Sequence, residues 1–446
     1  MRDRVISTLH YWTNLDNAAL IFPVIISERN SSFFRLSALL DDIIDPELLQ
    51  MALDHCIHRF PYFLVRLRQG AFWMFLEEYP KPPQVELDRY YPCLTIKTPK
   101  QRSLLFRVLY LKNRISLEMS HILTDGFGAS VFLKNILAEY LRLQGCHVLP
   151  SDAFDIFDLS APPLEDEKID AFHQFYDPHA PKDKSLPNAY QMHLKNSSPG
   201  VNHVITGKIP LESILQVTHA HHVSITEYLA AVLIYQLQGI QKKDRKNRRI
   251  RPIRLNVPAN LRKFYGIKTM KNFSLYTTPE IDPNLGDFTF EETLQHIHHY
   301  MKKNNTEKNI KQQITRNVGG EINPFIRIIP LPIKKMFLRS MHAKYGETQQ
   351  SICLSNLGNI SVPKSMSDHI DRIDFIPAGS LMTKTMLAVT GFKGFLYLSF
   401  GRVAEQPLLE RRTFSFLREQ GISMVLESNN PTPSHRGHTK RRENSA

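Results

Sequence analysis

Residues 119–128 read Met119-Ser120-His121-Ile122-Leu123-Thr124-Asp125-Gly126-Phe127-Gly128. The pattern before them, over 114–119, is that of a strand. From Phe127 the period changes to helical through Val131, Phe132, Ile136, Leu137, Tyr140 and Leu141, ending at Gly145. His121 therefore falls just past a strand end, and Asp125-Gly126 opens a helix. Three readings of this pair compete. As metal ligands, His121 and Asp125 would have to share a helix face, but a strand precedes the histidine and no third ligand is near in sequence. As structure, Asp125 caps the helix and His121 is a satisfied core histidine. As chemistry, a histidine leaving a strand sits on a rigid element and can face a cleft, where a general base belongs. The ten residues alone do not decide between the last two.

Outward from the motif, the chain alternates strands and helices. Asp45-Pro46-Glu47 begins a helix whose apolar positions are Leu48, Leu49, Ala52, Leu53, Cys56 and Ile57, with proline in the first turn and acids at the positive end of the dipole. It stops near Arg59-Phe60-Pro61, and a strand is expected over 62–67. Two more strand patterns, 104–110 and 114–119, are joined by a turn at Lys112-Asn113. Residues 160–200, rich in proline, aspartate and lysine, read as a long irregular connection. Beyond it come a strand over 204–209, a capping box at Ser224-Ile225-Thr226-Glu227 opening a helix, a strand over 253–257, and helices over 288–303 and 334–345. Strands follow over 351–354, 372–376, 386–390 and 395–400. The class is mixed α/β in two similar halves. The expected division is 1–165, a connection over 166–200, a second half over 201–428 and a disordered basic tail over 429–446.

Composition narrows the classes. With 446 residues and 42% hydrophobic content, the chain exceeds what one core usually holds. Cys56, Cys93, Cys146 and Cys353 lie far apart, suggesting neither a disulfide framework nor a zinc knuckle, and a reducing, cytoplasmic setting is expected. The apolar patch over 18–26 is short and carries Pro23, so it makes a poor signal peptide. No apolar run is long enough to span a bilayer. The formal charge is +13, part of it in the tail and part in a run over 242–249 with Arg251 and Arg254. That run reads as a solvated loop or as a landing strip for phosphates on a cofactor, an acidic carrier protein or a membrane. Without interleaved aromatics it does not suggest nucleic acid. The histidine groups at 219–222 and 296–299 lack a carboxylate or cysteine at a closing distance, so no metal is expected. Residues 330–339 mix bases with large apolar side chains, as helices at a membrane interface do. Packing against the chain's own domain is the other reading of that segment.

The motif resembles the active-site signature of the chloramphenicol acetyltransferase-like superfamily, which includes condensation domains and alcohol acetyltransferases. Other stretches agree in the same order: residues 11–19 with Phe22-Pro23, the helix and strand over 45–67, Asn256 to Arg262 followed by Lys271-Asn272-Phe273-Ser274, and Leu354-Ser355-Asn356-Leu357-Gly358. Together they cover roughly residues 5–425 and are most similar to the alcohol acetyltransferase-like branch. The resemblance implies two subdomains forming a V around a central channel, with His121 at its centre as general base. It implies a structural role for Asp125, held by an arginine, and close backbone approach at Gly126, whose N–H is a candidate oxyanion donor. Ser274, Ser355 and Asn356 are candidate channel-wall residues.

Three departures refine this. Condensation domains carry two adjacent histidines here, whereas this chain has Ser120 first, which favours a simple acyltransferase. The arginine expected to hold the motif aspartate would fall near position 64, which is leucine, leaving Arg66 or Arg262 to substitute. The D-F-G-W-G motif of the plant branch is matched only loosely by residues 374–379. The expectation is an acyltransferase using acyl-CoA, or the phosphopantetheine of an acyl carrier protein, and a small-molecule or lipid alcohol acceptor, with no tightly bound cofactor. Carrier-dependent condensation, N-acylation and a silent thioester- or partner-binding protein are the alternatives. An open tunnel lined by His121 and reaching both faces would favour catalysis, and a channel plugged by side chains the silent protein.

Overall fold

The computed structural model describes residues 11–27, 30–94, 103–181, 186–244 and 249–429. The expected tail, apart from Asn429, and residues 245–248 of the basic run lie outside them.

The strand Arg114–Ser120 is buried on both faces, all but its first residue. It pairs antiparallel with Phe33–Leu40 on one side and Phe106–Leu111 on the other. The sheet runs Ile370–Ile376, Phe33–Leu40, Arg114–Ser120, Phe106–Leu111, Val85–Leu87. Helices Pro46–Arg59 and Gly126–Leu143 share its core, through Leu49, Leu53, Cys56, Val131, Phe132 and Ile136. Asp45 caps the first of these helices, accepting from the Glu47 and Leu48 amides at 2.8 and 3.3 Å.

The second sheet has eight strands, ordered Ser274–Thr277, Ile253–Asn260, Ile352–Asn359, Thr385–Phe392, Phe395–Arg402, His203–Pro210, Val425–Ser428, with Glu280–Ile281 also paired to Ile253–Asn260. Helices Ile225–Asp244, Phe290–Asn304 and Leu408–Glu419 bury their apolar faces against it in a core of their own. Ser224 and Glu227 form the expected capping box, the serine amide donating to Glu227 Oε2 at 2.7 Å and Ser224 Oγ accepting from the Glu227 amide at 3.2 Å.

One strand breaks the sequence order. Ile370–Ile376 belongs to the second half of the chain but lies in the first sheet, antiparallel to Phe33–Leu40 with Asp374 opposite Ser37. Residues 201–428 are thus not confined to one sheet. Two other expectations need correction. Pro61–Phe63 forms a 3-10 turn, the proline setting its first φ, so the strand expected over 62–67 begins at Val65 and runs to Gln69. Arg254, grouped with the basic run, is buried: its guanidinium donates to Glu280 Oε2 at 2.7 Å and to the Pro187 and Gln349 carbonyls, each at 2.8 Å. It is a structural tie. Among the described residues, no single helix is long and apolar enough to cross a membrane.

Candidate active site

A cavity of about 1970 Å³ is walled by both halves of the chain, lined from the first by Phe22, Phe34, His121, Gly126 and Phe127, and from the second by Asn256, Asn272, Ser274, Ser355 and Asn356. His121 is the first residue after the strand Arg114–Ser120. Its amide donates to the Ser32 carbonyl at 2.9 Å, continuing the sheet ladder by one bond, and its carbonyl accepts from Asn272 Nδ2 at 2.9 Å. The imidazole stacks on Phe22, centroids 5.1 Å apart at 16°, and lies 4.5 Å from the Phe34 ring. Burial among these rings pushes its pKa from 6.5 down to about 4, against the nearby Asp125 carboxylate and polar contacts with the Thr124 backbone and Asn272. The imidazole is therefore neutral at pH 7.

Asp125 also borders the cavity, but its carboxylate is taken up by structural contacts. It caps the helix Gly126–Leu143 by accepting from the Gly128 amide at 3.3 Å. Its other oxygen accepts from Arg262 Nη1 and from the Phe273 amide, both at 2.9 Å. The Arg262 guanidinium also donates from Nε to the Thr269 carbonyl at 2.7 Å and lies 4.6 Å from the Phe127 ring centroid. Both charged side chains are buried, so the loop after His121 is held to the second half by a desolvated ion pair. Gly126 is the first helical residue, where the backbone N–H has no intrahelical acceptor. Its missing side chain leaves room for Leu357, since an added Cβ would lie 2.6 Å from Leu357 Cδ2. Part of the close approach expected there is thus made by the protein itself.

No protein-family model matches the sequence, and no curated protein matches it. Solved structures do match its shape. F. sporotrichioides TRI101, complexed with coenzyme A and T-2, superposes with TM-score 0.60 at 8% identity, over 94% of this chain and 99% of that one. The first condensation domain of the CDA synthetase gives 0.58 at 12%, over 94% and 100%. TRI3 trichothecene 15-O-acetyltransferase from Fusarium sporotrichioides gives 0.55 at 11%, over 92% and 94%. The chain has the chloramphenicol acetyltransferase-like fold.

Within this chloramphenicol acetyltransferase-like fold, the expected site residues divide. His121, Gly126, Ser274, Ser355 and Asn356 all reach the cavity. Asn356 is partly occupied, its Nδ2 donating to Thr226 Oγ1 at 2.9 Å and its Oδ1 accepting from the Gly358 amide at 2.8 Å. Of the two arginines considered for Asp125, Arg262 makes the pair. Arg66 does not: it donates from Nε to Glu77 Oε2 at 2.9 Å on the neighbouring strand. Ser120, where condensation domains have their first histidine, is buried with its Oγ 2.8 Å from Ser32 Oγ. Among the described residues, no three His, Cys, Asp or Glu side chains gather into a metal site.

Four residues that the sequence did not single out complete the site. Phe22 and Phe34 flank the imidazole. Asn272 carries a support chain: its backbone and side-chain N–H groups donate to Asp16 Oδ2 at 3.1 and 2.9 Å, and Asp16 Oδ1 accepts from the Ala19 amide at 2.8 Å. Burial pushes the Asp16 carboxyl up to about 7. Asp16, Phe22 and Asn272 fall inside stretches that carry the family resemblance, but nothing in spacing or composition marks them as neighbours of His121.

Proposed function

We propose that the protein is an acyltransferase that moves an acyl group from a thioester, acyl-CoA in the first instance, to an alcohol. His121 is its general base. The observation that carries this reading is a neutral imidazole lining an open cavity walled by both halves of the chain. The roughly 1970 Å³ of space that His121 lines supports turnover over a site filled by side chains.

The steps follow from the groups present. An acceptor hydroxyl approaches a ring nitrogen of His121; as its oxygen bonds to the thioester carbonyl carbon, its proton passes to the imidazole. Negative charge moves to the carbonyl oxygen, for which the Gly126 N–H at the positive end of the helix Gly126–Leu143 is the candidate donor. The C–S bond then breaks, and the imidazolium returns the proton to the leaving thiolate. The low basicity of the buried imidazole favours that return. Asp125 and Arg262 take no part in the proton's path and hold the loop. Ser120, tied to Ser32, leaves one imidazole in the motif, which supports ester formation over peptide-forming condensation.

Thiol release from short to long acyl-CoAs with mixed alcohol and amine acceptors, compared with His121→Ala, tests the reading. Acceptor-dependent release that falls by about 10²–10⁴-fold in the variant, with folding intact, is expected. Release only with amines, or only from an acylated carrier protein, would move the assignment to N-acylation or condensation. Equal release from both proteins would refute the role of His121.

A further inference from the structure

We propose that the segment from Pro324 to Arg339 is a docking face for an anionic lipid surface, placed at the rim of the substrate cavity. Two helices form it, Pro324–Arg327 and Leu331–Tyr345. Three ties hold the longer one on one side. The Leu331 amide donates to the Ala71 carbonyl at 2.8 Å, Lys334 Nζ donates to the Phe72 carbonyl at 3.1 Å while lying 3.6 Å from the Trp73 ring centroid, and Arg339 Nε donates to the Val24 carbonyl at 3.0 Å. The opposite side presents Ile333, Met336 and Phe337, which helical spacing sets on one stripe. The preceding turn adds Phe325 and Ile328. Phe325, Ile328 and Met336 are 77%, 71% and 69% exposed, which is unusual for large apolar side chains this close together.

Charge selects the occupant. Between Glu321 and Glu347 the sequence carries Arg327, Lys334, Lys335, Arg339 and Lys344 and no acidic residue. Arg327 and Arg339 are exposed, whereas Lys334 is spent on the Phe72 carbonyl and Trp73. Protruding apolar side chains in a segment whose charges are all basic match an interface of acyl chains beneath anionic headgroups. A second copy would bring like charges together across the same face, and an acidic protein would leave the apolar stripe in water. Position adds a reason. Ile326, Ile329, Leu331, Ile333, Phe337 and Leu338 line the cavity that holds His121. An apolar substrate leaving the bilayer here would enter that cavity along apolar walls. This last point rests on the acyltransferase reading; the docking itself does not.

The test is sedimentation of the full chain with phosphatidylcholine vesicles, with and without about one third phosphatidylglycerol, at low and high salt. Binding to the anionic vesicles, weakened by salt, is expected. Ile328→Glu with Met336→Glu, both outside the cavity wall, should lower that binding by more than tenfold at unchanged melting temperature. Arg327→Gln should lower it about fivefold and reduce its salt dependence. Binding equal on neutral and anionic vesicles, or unchanged in both variants, overturns the proposal. So does a dimer that the double variant makes monomeric, which would assign the face to a second copy. Vesicle binding without thiol release from any acyl-CoA would sustain docking and count against the transferase; thiol release without vesicle binding would do the reverse.

Discussion

His121, the base of the proposed reaction, has surroundings that keep it from being protonated. Phe22 and Phe34 pack against the ring and displace water from it, and desolvation outweighs the attraction of Asp125, leaving a pKa of about 4. The acid limb of kcat/KM should therefore fall well below the 6.5 of an ordinary histidine. Phe34→Ser should move that limb upward by admitting water, and a pH–rate profile of both proteins reads it. Stability follows the same group with a definite sign. The folded pKa is depressed, so between about 6.5 and about 4 the unfolded chain binds the extra proton, and the contribution of His121 to stability falls as pH falls. Asp125 and Arg262 act differently, as a buried pair whose members cannot be removed singly. Arg262→Met leaves the aspartate charge desolvated and should cost about 3–5 kcal/mol in urea unfolding. A loss below about 1 kcal/mol would show that water reaches the site and that the pair is not the tie described.

The turn between strand and helix is as tightly built as the side chains it presents, and its two glycines are not equivalent. A Cβ at Gly126 would meet the tip of Leu357 at 2.6 Å, a side chain able to turn aside. At Gly128 it would lie 2.1 Å from Thr124 Oγ1 and 2.8 Å from the Met270 carbonyl, which is backbone from the other half. Gly128→Ala should thus destabilise by about 1–3 kcal/mol, while Gly126→Ala should cost less and recover in the Gly126→Ala/Leu357→Ala double variant. Thermal melts of the four proteins decide it, and a failure of the double variant to recover would place the constraint in the backbone. At this scale the sequence was most informative where local rules suffice. The strand Arg114–Ser120, the helices Pro46–Arg59 and Gly126–Leu143 and the Ser224 capping box follow from periodicity and capping chemistry. The strand Phe33–Leu40 escaped because seven of its eight residues are buried, so no alternation marks it. The helix Glu307–Ile322 escaped because only Ile314 and Val318 are buried, too few apolar positions to make a stripe. Phe22 and Asn272 reach His121 through packing across 99 and 151 positions of chain, a relation that no window of sequence contains.

For the molecule as a whole, the five- and eight-stranded sheets are not built from separate halves of the chain. The first sheet takes Ile370–Ile376 as its edge strand, and the Phe33–Leu40 edge it covers carries Phe34, Leu36 and Ala38, all buried. Second-half residues Met366, Ile370, Ile373 and Phe375 belong to the first core. Arg262, Asn272 and Phe273 reach Asp125, His121 and Asp16 from the other side. A fragment of residues 1–200 would expose the Phe33–Leu40 edge with its hydrogen bonds unmet, and edges of that kind pair with other chains. It should aggregate when expressed alone and become soluble when residues 201–446 are co-expressed, because only those residues supply the missing strand. The intact chain should then unfold in one transition whether followed by tryptophan fluorescence, which reports Trp12 and Trp73 of the first half, or by far-UV dichroism, which reports both halves. Two separated transitions, with a soluble and folded 1–200 fragment, would mean that the crossing strand is an ornament on a self-sufficient half. Coincident curves would instead tie the geometry at His121 to the stability of both halves, so that activity would be lost in the same transition as both signals.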